Sequence, residues 1–473
     1  MIKRDSRFDT VHTEIATPQI NRRHFIYTSA LAAGALAASL PAYAARAKFK
    51  SPNEKLDIAG IGTAGKGAVD LEGVSGENIV ALCDVDSDKL AAAARKYPGA
   101  RLYSDYRIMI EKEKSIDAVT VSVPDHHHAP AAMRAIQAGK HVYCQKPLTH
   151  TVWEARQLTL AARKHGVATQ MGNQGHAGAA VRELCEMIWA GAIGPVREVH
   201  CWTDRAKGWW LQGLTRPAGS DRVPANLDWN LWLGPAPKRP YLDLWPADMR
   251  GHILGMAGHV YHPFSWRGWW DFGCGAVGDM GCHIMDGADW ALKLGAPTSV
   301  ELVGSSARMP EMPPDSSILR YQFPARGDMP ACMVMWYDSG QKPPRPSELE
   351  AAQLEDNGSL FIGDKGKIIC GVYGDKPRLL PESIMADYSR PSPRIPRAPG
   401  DDPYLDWIRA CKGGPAAGSN FDVSGPFSEW VLLGNLPLRL GKKIEWDSVK
   451  LRVTNVPEAE ELIKGSYRHG WKV

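Results

Sequence analysis

Several features that assign a protein to a class are missing from this 473-residue chain. Its nine cysteines are an odd number without a Cys-x-x-Cys pair, which argues against a disulfide framework or a zinc site and favours buried thiols. The net charge of only +4 argues against a nucleic-acid partner. No uncharged apolar run reaches the roughly 20 residues of a membrane-spanning helix. No internal repeat is present. The remaining composition is that of a globular protein long enough for two domains.

The N-terminal segment resembles a twin-arginine export signal. Arg22 and Arg23 precede an uncharged apolar run over residues 25–40, and Ala42-Tyr43-Ala44 fits cleavage by its small residues. A short membrane anchor is the alternative, but the run is too short and too rich in alanine and glycine. We therefore expect residues 1–44 to be a signal peptide and the mature protein to be periplasmic or otherwise exported, without a stable membrane span.

A glycine-rich loop follows the first predicted strand, residues 56–59. The loop reads Gly60-Ile61-Gly62-Thr63-Ala64-Gly65 and leads into a predicted helix. This G-x-G-x-x-G order in a strand–loop–helix context is typical of dinucleotide-binding loops. We expect Gly60 to permit the tight turn, Gly62 to admit the pyrophosphate and Gly65 to allow close packing of the helix. The helix N-terminus would hold the phosphates.

Asp84 ends the second strand-like run, which covers residues 79–83. It lies 19 residues after Gly65, where a carboxylate can accept both ribose hydroxyls of an adenosine. The same charge would repel a 2′-phosphate. The spacing therefore predicts NAD as the cofactor and disfavours NADP.

Further strand-like runs at residues 118–123, 141–144 and 167–171 alternate with helical stretches. This alternation predicts a doubly wound parallel sheet. Residues 124–130 include three adjacent histidines, which raises the possibility of a metal site. Adjacent side chains diverge, however, so we favour a loop at the cofactor edge, with Pro124 and His128 as candidate cofactor contacts.

The segment Gly139-Lys140-His141-Val142-Tyr143-Cys144-Gln145-Lys146-Pro147-Leu148-Thr149 resembles the strand-end Glu-Lys-Pro motif of the glucose-fructose oxidoreductase and inositol dehydrogenase family. With the glycine loop, Gly172-Asn173-Gln174 and residues 278–286, the resemblance extends over nearly all of the chain after the signal. The departure is Gln145 in place of the usual Glu. Gln keeps the hydrogen bonds but loses the charge, so a protonated Lys146 should be harder to hold in a buried site.

The resemblance implies a fold and a site. An NAD-binding α/β Rossmann domain over residues 52–175 would precede an α+β domain over residues 176–473, whose large, mostly antiparallel open sheet lines the active site. That sheet often forms an oligomer interface in the family, which implies a homo-oligomer. Gln145, Lys146 and Asn173 would contact the cofactor, and Lys146 would also touch the reacting hydroxyl.

Asp279, His283 and Asp286 are spaced i, i+4 and i+7, which places them on one face if the segment is helical. Oxidation of a secondary alcohol needs a base near neutral pKa, so His283 is the best candidate for the base. We expect Lys146 to polarise the hydroxyl or share the proton relay, and Asp279 to orient His283 or bind a neighbouring hydroxyl. A structural histidine and a metal site are the alternatives, but no third metal ligand stands out.

Ten of the 17 tryptophans fall between Trp202 and Trp290, in the predicted second domain. Aromatic faces beside Asp, Asn and Arg suit a sugar, while packing in an aromatic core is the alternative. The candidate substrate contacts are Trp209, Trp210, Trp269, Trp270 and Asp286. Strand-like runs return at residues 196–202, 317–323, 331–336 and 359–363, with a hairpin turn at residues 364–367.

Export constrains the mechanism because NAD is made in the cytosol. An exported NAD protein must retain its cofactor and regenerate it in place. A second substrate can return the hydride, or one substrate can be oxidised, altered and reduced again, which gives net hydrolysis of a glycoside. We therefore expect an NAD-dependent oxidoreductase acting on a sugar, glycoside or cyclitol. An NAD-dependent glycoside hydrolase is the alternative, and a catalytically silent sugar-binding relative is a third possibility.

Overall fold

The computed structural model describes residues 49–249 and 258–473. The predicted signal peptide, residues 1–44, lies outside the described residues. None of the helices in the described ranges is long and apolar enough to cross a membrane. All nine cysteines are buried free thiols, as expected for most of them.

The N-terminal sheet is parallel, as predicted. Its strands are β1 (Asp57–Ile61), β2 (Asn78–Cys83), β3 (Arg101–Tyr103), β4 (Ala118–Val121), β5 (His141–Cys144) and β6 (Thr169–Met171). They lie in the order β3-β2-β1-β4-β5-β6. Strands β4 and β5 are buried at every position because helices cover both faces of the sheet. The strand order reverses between β1 and β4, which places the ligand cleft at their carboxyl ends.

Each of the first five strands is followed by a helix. These are α1 (Lys66–Gly73), α2 (Ser87–Lys96), α3 (Tyr106–Lys112), α4 (Asp125–Gln137) and α5 (Val152–His165). Local sequence sets the ends of α5. Thr151 and Glu154 form a capping box at its start, and Gly166 ends it in the left-handed conformation with φ 64°.

The second sheet has nine strands and is mostly antiparallel, as predicted. After β7 (Val196–Trp202) the chain forms β8 (Ser299–Ser305), β9 (Ser317–Phe323), β10 (Cys332–Tyr337), β11 (Gly358–Gly363), β12 (Gly366–Cys370), β13 (Arg378–Leu380), β14 (Ile444–Asp447) and β15 (Arg452–Val453). Their order is β13-β12-β11-β7-β10-β9-β8-β14-β15, and only β7 and β10 pair in parallel within it. The predicted turn between β11 and β12 is confirmed by their antiparallel pairing.

The remaining helices connect and cover the sheets. They are α6 (Ala179–Trp189), α7 (Trp229–Leu233), α8 (Gly275–Ile284), α9 (Asp286–Leu292), α10 (Pro403–Cys411), α11 (Phe421–Leu433), α12 (Asn435–Leu440) and α13 (Glu460–Lys464). The C-terminal region packs on both sheets. Trp407 of α10 shares a core with Leu56 and Ile58 beside the parallel sheet, whereas β14 pairs with β8.

Candidate functional site

The glycine loop between β1 and α1 uses its glycines differently from the predicted order. Gly62 has φ 83°, and a Cβ there would overlap the carbonyl oxygen of Ser122. A Cβ on Gly60 would lie 2.7 Å from Leu71 Cδ2, so Gly60 allows the close packing of α1. Nothing lies within 4 Å of a Cβ built on Gly65, so the packing role predicted for Gly65 is wrong. Its φ of 55° with ψ −120° instead is a backbone conformation that glycine adopts far more readily than other residues.

The N-terminus of α1 fits the pyrophosphate of a dinucleotide. Gly65 is the N-cap residue and makes no side-chain capping hydrogen bond, so no cap side chain satisfies the first N–H groups of the helix. Ile61 is buried at the end of β1, and Thr63 and Ala64 lie in the loop that leads to the helix. The N–H groups of the first turn that have no intrahelical acceptor and the helix dipole favour an anion in the open space beside Gly65. These residues would hold the phosphates of NAD.

Asp84 follows β2 and is hydrogen-bonded to the glycine loop. Its Oδ2 accepts from the Thr63 amide at 2.8 Å and from the Thr63 hydroxyl at 2.9 Å. Its Oδ1 accepts from the Asp86 amide at 3.0 Å. Carboxylate oxygens have further lone pairs, so Asp84 can still accept ribose hydroxyls. Its fixed negative charge beside the loop disfavours a 2′-phosphate.

The tryptophan-rich insertion, residues 203–249 and 258–272, packs against the residues that follow β2. Asn226 Nδ2 donates to Asp86 Oδ1 at 2.9 Å. The Asp228 amide donates to the Val85 carbonyl at 2.9 Å. These two hydrogen bonds therefore hold the insertion beside the position expected for the adenosine.

The insertion also contacts the start of α4. The carbonyl oxygen of Trp232 lies 3.1 Å from His126 Nε2 and 2.9 Å from His127 Nε2. Val85 and Asp86 follow β2, and the histidines follow β4. The adenine half of a dinucleotide lies between the carboxyl ends of such strands, so the insertion spans this end of the cleft.

Residues 124–130 are not the predicted loop, because α4 begins at Asp125 with Pro124 as its N-cap. His128 is buried in the first turn, with Nδ1 2.7 Å from the Pro147 carbonyl and Nε2 2.8 Å from the Val123 carbonyl. Both ring nitrogens face the backbone. The cofactor contact predicted for His128 is therefore wrong in this structure, and the ring instead joins the segments that follow β4 and β5.

Lys146 and Asp279 connect the end of β5 to α8. Lys146 Nζ donates to the Asp279 carbonyl at 2.7 Å and to Asp279 Oδ1 at 2.9 Å. Arg267 Nε donates to the same Oδ1 at 3.1 Å. Burial opposes ionisation of Asp279, but the charges of Lys146 and Arg267 outweigh it and hold its pKa well below its usual value. Asp279 therefore balances the charge of Lys146.

His283 lies one turn after Asp279 on α8 and is 6% exposed. Burial and then the charge of Lys146 lower the pKa of His283 well below its ordinary value, so the imidazole is neutral at pH 7. Its Nδ1 is buried without a hydrogen-bond partner among the described residues. The carboxylate of Asp279 is directed at Lys146 and Arg267, so Asp279 does not orient His283 as one of the predicted alternatives had it.

Asp286 is the first residue of the next helix, α9, and its carboxylate forms hydrogen bonds with other side chains. Its Oδ1 and Oδ2 lie 2.9 and 3.0 Å from His176 Nδ1. Asn173 Nδ2 donates to Asp286 Oδ1 at 3.3 Å, and Asn173 Oδ1 accepts from the Ser419 hydroxyl at 2.6 Å. At 5% exposure, Asp286 orders the segment after β6, and the substrate contact predicted for it is wrong in this structure. The amide nitrogen and oxygen of Asn173 both form hydrogen bonds within the same network. No contact with a cofactor is tested by this arrangement, so the cofactor contact predicted for Asn173 stays a prediction.

Three of the four candidate tryptophans belong to hydrophobic cores, and two of them are almost completely buried. Trp269 is 0% exposed and donates its Nε1 proton to the Val260 carbonyl at 2.7 Å. Trp210 is 3% exposed and donates to Gln212 Oε1 at 2.8 Å. The substrate contacts predicted for both are therefore wrong, because Trp269 lies in the hydrophobic core of the insertion and Trp210 lies in the main hydrophobic core of the protein.

The other two are less enclosed. Trp270 lines a cavity of about 720 Å³ whose walls do not include Lys146. Trp209 is half-buried, stacks against the Arg205 guanidinium and donates to Asp204 Oδ2 at 3.0 Å. Their substrate contacts stay predictions.

Sequence reasoning missed three residues. Arg267 binds Asp279, Asp70 binds Gln145, and Tyr373 packs edge-on against His283. Asp70 carried a weak signal, because a carboxylate four residues after Lys66 lies on the same helix face. No sequence signal placed the other two. Within the described ranges, no group of three His, Cys, Asp or Glu side chains is arranged to hold a metal ion.

Curated relatives match parts of the chain. The inositol 2-dehydrogenase of Salmonella typhimurium is 32% identical over 150 residues, which are 31% of this chain and 44% of that protein. A glycosyl hydrolase family 109 protein of Shewanella pealeana is 26% identical over 236 residues, 43% of this chain and 50% of that protein. The matches therefore span half or less of these relatives.

Solved structures share the fold. The WlbA dehydrogenase from Bordetella pertussis, solved with NADH and UDP-GlcNAcA, superposes with a TM-score of 0.57. It is 18% identical, and the match covers 83% of this chain and 99% of that one. At this identity the similarity establishes the fold alone.

Two family models match successive parts of the chain. One describes an oxidoreductase family with an NAD-binding Rossmann fold and covers residues 55–173. The other describes the C-terminal alpha/beta domain of an oxidoreductase family and covers residues 178–309. Together with the parallel sheet, the glycine loop and the second sheet, they show that the chain belongs to the glucose-fructose oxidoreductase and inositol dehydrogenase (Gfo/Idh/MocA) family of NAD-binding oxidoreductases.

Proposed function

We propose that this protein oxidises a secondary hydroxyl of a sugar, glycoside or cyclitol with a tightly held NAD that is recycled in place. The observation that carries the proposal is the contact of Lys146 with Asp279, one turn before the neutral His283. This places an ammonium group, its counter-charge and a proton acceptor together at the carboxyl end of the parallel sheet.

Each of three side chains has one role in the proposed oxidation. His283, being neutral, accepts the hydroxyl proton. Lys146 polarises the hydroxyl oxygen, and Asp279 holds Lys146 in place. When bound, the nicotinamide of NAD supplies the hydride acceptor.

The substrate class is supported by the relatives. The Salmonella typhimurium relative is named for a cyclitol, inositol, and the Bordetella pertussis structure holds a sugar nucleotide. Polyhydroxylated rings offer the secondary hydroxyl that the arrangement of Lys146 and His283 requires.

The tryptophan-rich insertion supports retention of the cofactor. Its contacts from Asn226 to Asp86 and from Trp232 to His126 cover the adenosine end of the cleft. We propose that the protein is exported by the twin-arginine route, already folded and loaded with NAD. Holding NAD for hours needs a Kd on the order of 10⁻¹⁰ M at an association rate of about 10⁶ M⁻¹s⁻¹.

An NAD-dependent glycoside hydrolase is the second candidate, favoured by the similarity to the glycosyl hydrolase family 109 protein. Oxidation of a ring hydroxyl acidifies the adjacent C–H bond. Elimination of the glycosidic group, addition of water and re-reduction then give hydrolysis with no net redox change. A catalytically silent sugar-binding protein is the third candidate, against which the arrangement of Lys146, Asp279 and His283 argues.

The deciding experiment quantifies the nucleotide that the protein carries. The protein is purified without added nucleotide and denatured, and the released NAD and NADH are measured by mass spectrometry. Near-stoichiometric NAD supports retention, whereas an empty protein that binds added NAD contradicts it. Asn226→Ala should lower the NAD content, and Asn53→Ala, at an exposed position, is the matched control.

Product analysis separates the candidate activities. The NAD-loaded protein is incubated with sugars, cyclitols and glycosides. Oxidised product, or exchange between two sugars, supports the oxidoreductase. Free sugar released from a glycoside without net NADH supports the hydrolase. Binding without any product supports the silent relative.

We also propose a homo-oligomer assembled through the second sheet, as the family resemblance implies. Light scattering after size-exclusion chromatography checks the mass. A monomer at micromolar concentration would contradict this part of the proposal.

A further inference from the structure

Asp70 is a carboxylate inside α1 that is 0% exposed. Its Oδ1 accepts from Lys66 Nζ at 2.6 Å and from the Tyr404 hydroxyl at 2.8 Å. Its Oδ2 accepts from the Ser122 hydroxyl at 2.6 Å. Gln145 Nε2 donates to both oxygens. Burial of a charge is costly unless it is paired and hydrogen-bonded, so this carboxylate is held by a complete set of donors.

The contact with Gln145 sets the orientation of its amide. Nε2 lies 3.0 Å from Asp70 Oδ1 and 2.9 Å from Asp70 Oδ2, so one amide N–H is directed between the two carboxylate oxygens of Asp70. The oxygen Oε1 is thereby left as a hydrogen-bond acceptor. Gly172 makes room for this arrangement, because a Cβ there would lie 2.5 Å from Gln145 Nε2.

The network lies at the part of the cleft that binds the cofactor. Gln145 directly follows β5 and precedes Lys146, whose ammonium contacts Asp279. Ser122 follows β4, and its carbonyl oxygen lies against Gly62 of the glycine loop. Asp70 therefore binds the ends of β4 and β5 at the cleft.

We propose that Asp70 is a positioning residue that acts through Gln145 on the NAD site. It fixes the Gln145 amide with Oε1 as the acceptor, and it supplies the negative charge that a carboxylate at position 145 would supply. A Glu at position 145 would bring two carboxylates within about 3 Å, and like charges at that distance do not both stay ionised. The pair formed by residues 70 and 145 therefore has room for one negative charge, which Asp70 carries. This gives a structural reason for the neutral Gln145 in this chain.

This inference rests on the proposed NAD-dependent function, and a double-mutant cycle tests it. The variants are Asp70→Asn, Gln145→Glu and the two combined, with Gln145→Met as the control that removes the amide without adding charge. Affinity for added NAD is measured by tryptophan fluorescence from pH 5 to 9 on protein stripped of nucleotide. Thermal unfolding of the stripped protein checks that each variant folds.

We expect each single variant to weaken NAD binding by about 10-fold or more, because a hydrogen bond to a charged group is lost. The combined variant should return to within about 3-fold of wild type, because one carboxylate and one amide again face each other. Gln145→Glu alone should make NAD binding pH-dependent, as one carboxyl of the pair takes up a proton. A merely structural role would not produce that dependence.

The inference is overturned if the combined variant loses affinity as the product of the single losses. It is equally overturned if Gln145→Glu folds and binds NAD like wild type at every pH. Should Asp70→Asn fail to fold alone, recovery of folding and NAD binding in the combined variant supports the shared charge, and its absence contradicts it. Wild type that binds no NAD overturns the proposed function as well, whereas wild type that binds NAD with uncoupled variants overturns this inference alone.

Discussion

The phenol ring of Tyr373 stands perpendicular to the imidazole of His283, with ring centroids 5.1 Å apart and an interplanar angle of 86°. Tyr373 lies between β12 and β13, and its hydroxyl accepts from Gln174 Nε2 at 3.1 Å. The residue is 37% exposed. An exposed aromatic ring beside the proposed base is suited to contact the apolar face of a sugar.

We expect Tyr373→Ala to raise KM about 3- to 10-fold, because the aromatic contact with the substrate is lost. Tyr373→Phe keeps the ring and should stay close to wild type. Steady-state kinetics on the substrate found by product analysis measure the effect. Equal KM values for Tyr373→Ala and wild type would show that the ring does not contact the substrate.

Removal of the ammonium group should abolish most of the activity. Lys146→Met should lower turnover by about 10² to 10³-fold, the usual range for loss of a group that stabilises charge on the reacting oxygen. Asp279→Asn should lower it less, because Lys146 keeps the hydrogen bond to the backbone carbonyl of residue 279. Turnover is compared at equal NAD content, with the exposed Lys164→Met as control. Near wild-type turnover of Lys146→Met would refute its catalytic role.

Replacement of the strand-end acid should change the choice of cofactor. Asp84→Ser removes the acceptor for the ribose hydroxyls and the charge that repels a 2′-phosphate. We expect the ratio of NADP to NAD affinity to rise by about 10-fold or more, since one close charge is worth at least about 1.4 kcal/mol. Calorimetric titration with both nucleotides measures it. Thr63→Val removes a hydrogen bond to Asp84 but keeps the charge, so an equal shift in that variant would contradict the charge argument.

The pH dependence of activity should reflect the neutral His283. Because burial lowers its pKa well below 6.5, the base form persists as the pH falls through 6.5. We therefore expect the acid limb of kcat/KM to lie well below 6.5. Burial raises the pKa of Asp125 to about 7 although Arg267 lowers it, so Asp125→Asn is the control for a second titrating group. A limb at 6.5 that persists in Asp125→Asn would contradict a buried neutral base.

The lowered pKa of His283 also limits the pH range over which activity can be measured, because it affects the stability of the fold. The unfolded chain binds a proton at His283 below about 6.5, whereas the folded chain does not until a lower pH. This residue therefore lowers the stability of the fold as the pH falls below 6.5. Thermal unfolding at each pH defines the range in which kinetics are valid.

Replacement of Trp269 by Ala should lower the free energy of unfolding by more than replacement of Trp209 by Ala. Trp269→Ala removes a fully buried ring and should destabilise the protein by about 3 to 5 kcal/mol. Trp209→Ala removes a half-buried ring and should cost much less. Urea unfolding of both variants measures the difference. Equal costs would show that Trp269 is not part of a packed core.

The cofactor half of the site was readable from the sequence because its signals are local. The glycine loop, the acid after β2 and the alternation of strands and helices predicted the parallel sheet and NAD. The Lys146 motif also placed its lysine at the end of β5. The roles of Gly60 and Gly65 could not be separated in this way, because they depend on whether Leu71 or open space faces each glycine.

Tertiary structure decided the contacts between residues distant in the chain. Asp279 contacts Lys146 and Arg267 rather than His283. Helical spacing predicts which side chains share a helix face, but it does not predict which residues pack against that face. Trp269 and Asp286 were drawn into an aromatic core and a polar network, since a buried ring and a buried carboxylate each need partners. The sequence by itself determined the local strand and loop chemistry that binds a dinucleotide. The choice of partners for Asp70, Asp279 and His283 required the fold. Contacts such as Asp70–Gln145, His283–Tyr373 and Asp279–Lys146 join residues that are 75 to 133 positions apart and leave no periodic signal in a single chain.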